Sequence, residues 1–312
     1  MTAPTLTARA WIGLLLLSLI WGGSFLAIRT ALDEIPFTTS VAWRVAPAAL
    51  VLLAWLQLRG LPLPRGWRIW GALLGMGVLN NAIPFTLMAW GQLHIETGLT
   101  SILNAGTAVF GVLAAALLLP DERLTIRRTV GVALGFLGVA TAIGLRNLLD
   151  LDLRAVAQLA VVVGTLSYAL AGVWARRTLA ALDPQVQAAG MLVGSSAVMI
   201  PIALLVDGWQ PPRSADAALA VGYYAIVATA LAYLLYFRVL RAAGSGNTML
   251  CTLLIAPVAI VLGVVARDET LAPSTYLGFA VLALGLAILD GRPLRALRVR
   301  LTGRRPAATR PE

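Results

Sequence analysis

Apolar residues in this chain fall in ten long runs: 11–28, 38–58, 68–91, 97–119, 126–145, 154–175, 187–206, 216–238, 246–266 and 275–290. A bilayer core accommodates about 20 such residues as a helix, so each run predicts a membrane-spanning helix. Outer-membrane strands would be about 10 residues long and alternate in polarity; these runs are longer and evenly apolar. Short loops and a tail make up the remainder, with no room for a soluble catalytic domain. The pattern therefore predicts an all-α membrane protein of ten transmembrane helices.

The runs also repeat. At a constant offset of 147 residues, Arg29 falls on Arg176, Asp121-Glu122 on Asp268-Glu269, Leu124 on Leu271, Gly131 on Gly278 and Gly138 on Gly285. Trp21 lands on another aromatic, Tyr168. Five spans per copy is an odd number, so the second copy must enter the membrane from the opposite side. That is an inverted-topology repeat with a pseudo-two-fold axis in the membrane plane. The expected units are a cytoplasmic N-terminus (1–10), a first five-helix repeat (11–145), a second (154–290) and a basic cytoplasmic tail (291–312), joined at a seam near 146–153.

Composition agrees: 59% hydrophobic residues, 12% charged and a mean hydropathy of +0.86 exclude an ordinary soluble domain. The net charge of +10 comes from 24 basic residues, all arginine. With the N-terminus inside, 18 arginines lie in inner loops and the tail, five in outer loops, and only Arg44 well within a span. Without the seven from Arg292 onward the count is still 11 against five, which follows the positive-inside rule with both termini cytoplasmic. The basic tail suits an anionic membrane surface, and no nucleic-acid partner is expected. The single Cys251 lies inside a span and excludes a disulfide framework. The first run lacks a small-residue cleavage site and is needed by the repeat, so it reads as an uncleaved span.

Polar residues within spans carry the candidate chemistry, because polar groups facing lipid are costly. In the fourth span Thr100, Asn104, Thr107 and Gly111 share one helical face, with Ser101 beside it; the ninth offers Asn247, Thr248, Cys251 and Thr252. The third has Asn80, Asn81 and Pro84, the eighth Thr229, Tyr233 and Tyr236, and Trp21, Trp90 and Tyr168 supply aromatic rims. Each residue could serve only as a hydrogen bond between helices; the recurrence of stripes in repeat-related spans favours a shared central cavity. Arg44 has two open readings. It could bind a carboxylate or phosphate, or it could snorkel outward or pair with Asp33 or Glu34. Gly71 with Gly75, and Gly131 with Gly135, form small-residue packing faces. Thr125 and Ser274 are expected to cap the fifth and tenth helices, and the acidic pairs at 121–122 and 268–269 to be structural.

None of the 14 acidic residues lies mid-span, so no buried carboxylate relay for proton coupling is evident. His94 and Glu96 are the nearest titrating pair. With one histidine and no GxSxG, HExxH or Walker sequence, the enzyme and ATP-driven readings lack parts. No metal or cofactor site is expected.

Leu19-Ile-Trp-Gly-Gly-Ser-Phe25, Ala42-Trp-Arg44, Ala89-Trp-Gly-Gln-Leu-His94 and Ser101-Ile-Leu-Asn-Ala-Gly-Thr107 resemble the EamA family of the drug/metabolite transporter superfamily. So do Asp121-Glu-Arg-Leu-Thr125 followed by Gly131, and Tyr233-Leu-Leu-Tyr-Phe-Arg238 leading to Pro257 and Glu269. The resemblance covers roughly 11–290. It implies a ten-helix inverted repeat in the bacterial inner membrane that exports amino acids or related metabolites. It also implies that the first, third, fourth, sixth, eighth and ninth helices ring the cavity, with the fifth and tenth peripheral. One departure is Ala108, where the family often has proline; the ninth span keeps Pro257.

The expected activity is alternating-access export of a small-molecule solute, with Asn80, Asn81, Asn104, Tyr168, Tyr233, Asn247 and Arg44 as binding residues. A carrier of sugar phosphates or nucleotide sugars would want several basic groups in the cavity, and only Arg44 qualifies. A non-transporting scaffold or lipid-handling protein is the alternative of a different class.

Overall fold

The computed structural model describes residues 8–144, 152–243 and 250–290. Among them every regular element is a helix. In chain order these are α1 (Ala8–Ala31), α2 (Phe37–Leu58), α3 (Trp67–Gly91), α4 (Thr97–Leu118), α5 (Ile126–Ile143), α6 (Leu153–Thr178), α7 (Pro184–Val206), α8 (Ala215–Arg241), α9 (Leu250–Arg267) and α10 (Pro273–Asp290). Nine are long and apolar enough to cross a bilayer, and α9 is apolar over the shorter stretch Cys251–Arg267.

Helix starts follow local chemistry. Thr125 caps α5 by accepting from the Arg128 amide, Asp152 caps α6, Asp183 caps α7 and Ser214 caps α8. Pro184 and Pro273 occupy first-turn positions, where the missing N–H costs nothing. The expectation for Ser274 is not met. α10 begins one residue earlier, at Pro273, whose fixed φ already suits a helix, so Ser274 lies inside the first turn.

The principal helix contacts obey the repeat. α1 packs on α9 and α8, and α6 packs on α4 and α3; α7 packs on α3, and α2 on α8. Contacts α2–α7, α4–α9 and α5–α10 each join a helix to its own counterpart. Exchanging the two halves maps this set onto itself, as a two-fold axis requires. The glycines fix its direction. A Cβ at Gly131 would lie 2.9 Å from the Gly285 carbonyl oxygen, and one at Gly138 would lie 2.8 Å from that of Gly278. The earlier glycine of α5 meets the later glycine of α10, so the helices run antiparallel and the two copies cross the membrane in opposite senses. α5 and α10 pack mainly on one another, and α5 reaches the bundle through α4.

Three helices are irregular at mid-depth. α3 has a π-helical turn over Val78–Ala82, and its repeat counterpart lies within the π-helical segment Tyr223–Leu231 of α8. Pro84 has no N–H to offer the Asn80 carbonyl, and a single wide turn accommodates the defect. Other helices serve the loosened carbonyls: Ser167 Oγ donates to Leu79 O at 2.7 Å, and Trp21 Nε1 to Ala228 O at 3.0 Å. Within α8, Thr229 Oγ1 donates to Tyr224 O at 2.7 Å. α4 is interrupted at Gly106 with Ala108, not proline, just beyond the break, whereas α9 carries Pro257 in a continuous helix. The two repeats therefore bend differently at this pair.

Both bundle ends are tied by charged groups. At the end where α1 begins and α10 stops, Glu122 takes Arg128 at 2.7 Å and Arg176 at 3.0 Å, and Arg176 also pairs with Asp121. The bonds from Arg128 and Arg176 hold the Glu122 carboxyl below the usual carboxylate range. At the far end, Glu269 accepts from the Thr97 and Gly98 amides, seating a carboxylate on the positive start of α4. Asp207 accepts from Thr38 Oγ1 and from both the amide and hydroxyl of Thr39 at the start of α2. Asp33 pairs with Arg29 and Arg267; burial pushes its carboxyl up, but the two arginines outweigh this and hold it below its ordinary value. Glu34 takes the Arg213 and Ser214 amides, and the bonds from Ser214 chiefly lower its carboxyl. Both acidic pairs thus hold helix ends together.

Candidate functional site

The irregular turns bring polar side chains to the bundle centre. Asn80, in the π turn of α3, donates from Nδ2 to Tyr233 Oη of α8 at 3.2 Å and touches Met191 Sδ of α7 at 3.6 Å. Tyr233 Oη in turn donates to Asn81 Oδ1 at 3.3 Å. Asn81 is fully buried and passes its amide N–H to Ser195 Oγ at 3.4 Å. Three helices thus share one hydrogen-bonded cluster. Asn80 and Tyr233 keep part of their surface open, while Asn81 and Ser195 form its closed floor.

Arg44 enters this region from α2, about two turns from the helix start. Its Nε donates to Thr229 Oγ1 at 3.1 Å, and its guanidinium carbon lies 3.7 Å from the centre of the Phe85 ring, a cation–π contact. Tyr168, Tyr224 and Tyr233 are its electrostatic neighbours. No carboxylate pairs with it among the described residues: Asp33 belongs to Arg29 and Arg267, and Glu34 to backbone amides. A guanidinium presents five donors, and among the described residues Nε alone has a hydrogen-bonded partner. The side chain is part-buried. Tyr168, from α6, stacks edge-on against Phe85 with ring centres 6.4 Å apart and closes one side.

Asn104 stands apart from this cluster. It lies two residues before the α4 break, is part-buried and has no hydrogen-bond partner among the described residues. Two hydroxyls of its predicted face turn back to their own helix: Thr100 Oγ1 donates to Glu96 O at 3.0 Å and Ser101 Oγ to Gly98 O at 2.7 Å. Thr107 Oγ1 is buried without a partner among the described residues. Asn247 and Thr248 lie outside the described residues. His94 and Glu96 do not pair. His94 packs edge-on against Trp90, and Glu96 holds Arg154 at 2.7 Å.

Sequence reading did not single out Phe85, Met191 or Ser195. Phe85 and Met191 look like ordinary lipid-phase residues, and a lone serine in a span is usually a packing residue. Pro84 was the available signal for the α3 turn; α8 has no proline within its π segment.

The profile of the EamA-like transporter family matches residues 8–144 and again 155–289. The chain belongs to the EamA-like transporter family. Among curated relatives, it is 26% identical over 308 residues to a probable terminal-alkyne amino-acid exporter of Streptantibioticus cattleyicolor, covering 98% of each chain. It is 24% identical to YedA, an uncharacterized inner membrane transporter of Escherichia coli, over 88% of each. Protein PagO of Salmonella typhimurium is 32% identical over 38% of this chain and 39% of its own length. A crystal structure with 20% identity superposes with a TM-score of 0.65 over 90% of this chain and 97% of that one, a likeness of fold. This EamA protein is thus a multi-pass membrane protein of a transporter family, built from two repeats.

Proposed function

We propose that this EamA protein is a secondary transporter of the bacterial inner membrane that exports amino acids or related small metabolites by alternating access, with both termini cytoplasmic. Arg44 carries the reading. A part-buried guanidinium with no carboxylate partner among the described residues suits the carboxylate of a solute, which would restore charge balance at mid-depth. One cation matches one carboxylate better than a phosphate dianion, so the sugar-phosphate alternative is disfavoured. Asn80 and Tyr233 offer amide and hydroxyl groups for an ammonium, with Asn81 buried beneath them as their hydrogen-bonded support in the binding site, and Tyr168 with Phe85 gives an apolar wall for the side chain. Asn104 of α4 and Asn247 of the ninth apolar run belong to the same path in this reading. The full-length likeness to a probable terminal-alkyne amino-acid exporter points the same way, and the arginine bias supports the orientation.

The test is counterflow in proteoliposomes loaded with a panel of amino acids. Uptake of labelled amino acid should require a free α-carboxylate and be stereoselective. Equal exchange of amino-acid methyl esters would sink the assignment of Arg44, and absence of saturable flux for every amino acid would sink the substrate class.

A further inference from the structure

A second charge asymmetry between the two repeats lies away from the central cluster, on the lipid-facing side of the bundle. α2 packs closely on the π segment of α8. Beyond it the two helices part, leaving a groove of about 500 Å³. Val51, Ala54, Trp55 and Leu58 line its α2 side at i, i+3, i+4 and i+7. Leu231, Leu234, Leu235 and Arg238 line the α8 side at the same spacing. Each set is one helical face, so two facing stripes bound an apolar slot that ends in a cation. Leu58 is 83% exposed and Leu231 47%, so the slot opens laterally to the bilayer. Trp55 is held as a wall by its Nε1 donating to Gln185 Oε1 at 2.8 Å, and the Arg59 guanidinium lies 5.6 Å from the Trp55 ring.

The repeat supplies an internal comparison. At the 147-residue offset, Arg238 corresponds to Gly91, Arg59 to Val206 and Trp55 to Ile202. The equivalent position in the opposite leaflet, between α3 and α7, therefore has neither cation nor aromatic wall. The arginines sit at the end where α1 begins and α10 stops, which the arginine bias assigns to the cytoplasm. Among the described residues neither Arg59 nor Arg238 has a carboxylate partner. The anionic surface of the inner leaflet attracts such groups, and basic pockets between transmembrane helices bind acidic headgroups.

We infer that the α2–α8 groove is a binding site for an anionic phospholipid of the cytoplasmic leaflet. One acyl chain lies between the two leucine-bearing faces, and the phosphate rests on Arg238 and Arg59. Because α2 and α8 come from different repeats, a lipid here bridges the two halves at a joint that alternating access would move.

Native mass spectrometry of the detergent-purified protein tests this with palmitoyl-oleoyl phosphatidylglycerol and the zwitterionic phosphatidylcholine of the same chains. The wild type should retain the phosphatidylglycerol preferentially. The double variant Arg59→Gln/Arg238→Gln, which alters only exposed side chains, should lose roughly tenfold or more of that retention and fall to the phosphatidylcholine level. Ala54→Phe, which fills the slot, should reduce retention of both lipids. Undiminished phosphatidylglycerol preference in the double variant would overturn the headgroup site, and undiminished retention in Ala54→Phe would overturn the acyl slot. Elution volume and thermal midpoint establish that each variant is folded. Neither outcome depends on the transported solute, so the lipid site stands or falls separately from the amino-acid reading.

Discussion

Arg44 and Met191 occupy equivalent positions in the two repeats, and both reach the same polar centre: Met191 Sδ touches Asn80, and Arg44 binds Thr229 and lies over Phe85. The pseudo-two-fold axis is thus broken in charge where the solute would sit. Symmetry allows rocking about the centre, whereas binding an asymmetric solute calls for an asymmetric centre.

Arg44→Met should therefore abolish most transport while sparing the fold. Removing a cation that lacks a carboxylate partner should leave the thermal midpoint unchanged or raised, and flux should fall tenfold or more, a loss of roughly 1.4 kcal/mol or more of solute interaction. Arg44→Lys should rescue only partly, because an ammonium cannot keep both the Nε bond and the planar contact with Phe85. Paired flux and melting measurements check this; full transport in Arg44→Met would move the site elsewhere.

Two asparagines should separate binding from packing. Asn104 has no hydrogen-bond partner among the described residues, so Asn104→Ala should melt like wild type while transport drops by roughly tenfold. Asn81 is fully buried and bonded to Tyr233 and Ser195. Asn81→Ala leaves the Tyr233 hydroxyl without its acceptor and should cost roughly 1–3 kcal/mol of stability. If Asn104→Ala transports normally, α4 does not line the path.

Gly138→Ala should loosen the α5–α10 pair. The added Cβ would lie 2.4 Å from the Leu282 amide nitrogen, and backbone cannot rotate away as a side chain can. A loss of about 1–3 kcal/mol is expected from overpacking, read as a lower melting temperature. Gly71→Ala meets nothing within 4 Å and serves as the control, expected to keep or slightly raise the melting temperature through helix propensity.

Topology is testable by single-cysteine labelling in a Cys251→Ser background. The substitution is conservative in size and keeps a group that Ser18 Oγ can reach. Cysteines at Glu122 and Glu269 should label from opposite faces of the membrane, the first from the cytoplasm. Labelling of both from one face would contradict the inverted repeat.

Acid should weaken the tie at Glu122. Its carboxyl is held below its ordinary value of 4.5, so its contribution is present above that pH and is lost as pH falls through the lowered value. The pair is partly exposed, and an effect of about 1 kcal/mol or less is expected. The melting difference between wild type and Glu122→Gln should shrink from about pH 6 to about pH 3. A difference independent of pH would mean that the carboxylate charge does not matter.

The sequence by itself determined the ten spans, their duplication and their inverted sense. Transfer of apolar residues into lipid is a local and nearly additive property, legible from run length, and an odd number of spans per copy leaves one topology. Thr125 was legible as a cap for the same reason, since a cap bonds within its own turn. Tertiary structure decided which polar groups meet. Thr100 and Ser101, in the same stripe as Asn104, turn back to their own helix, while Asn80, Asn81 and Tyr233 bond across three helices. Helical spacing specifies the face a side chain shares, but the neighbouring helix supplies its partner. The same holds for Arg44: Asp33 and Glu34 were within plausible reach in sequence, and packing gave them to Arg267 and to the start of α8. What remained for Arg44 within the bundle was a threonine and aromatic rings.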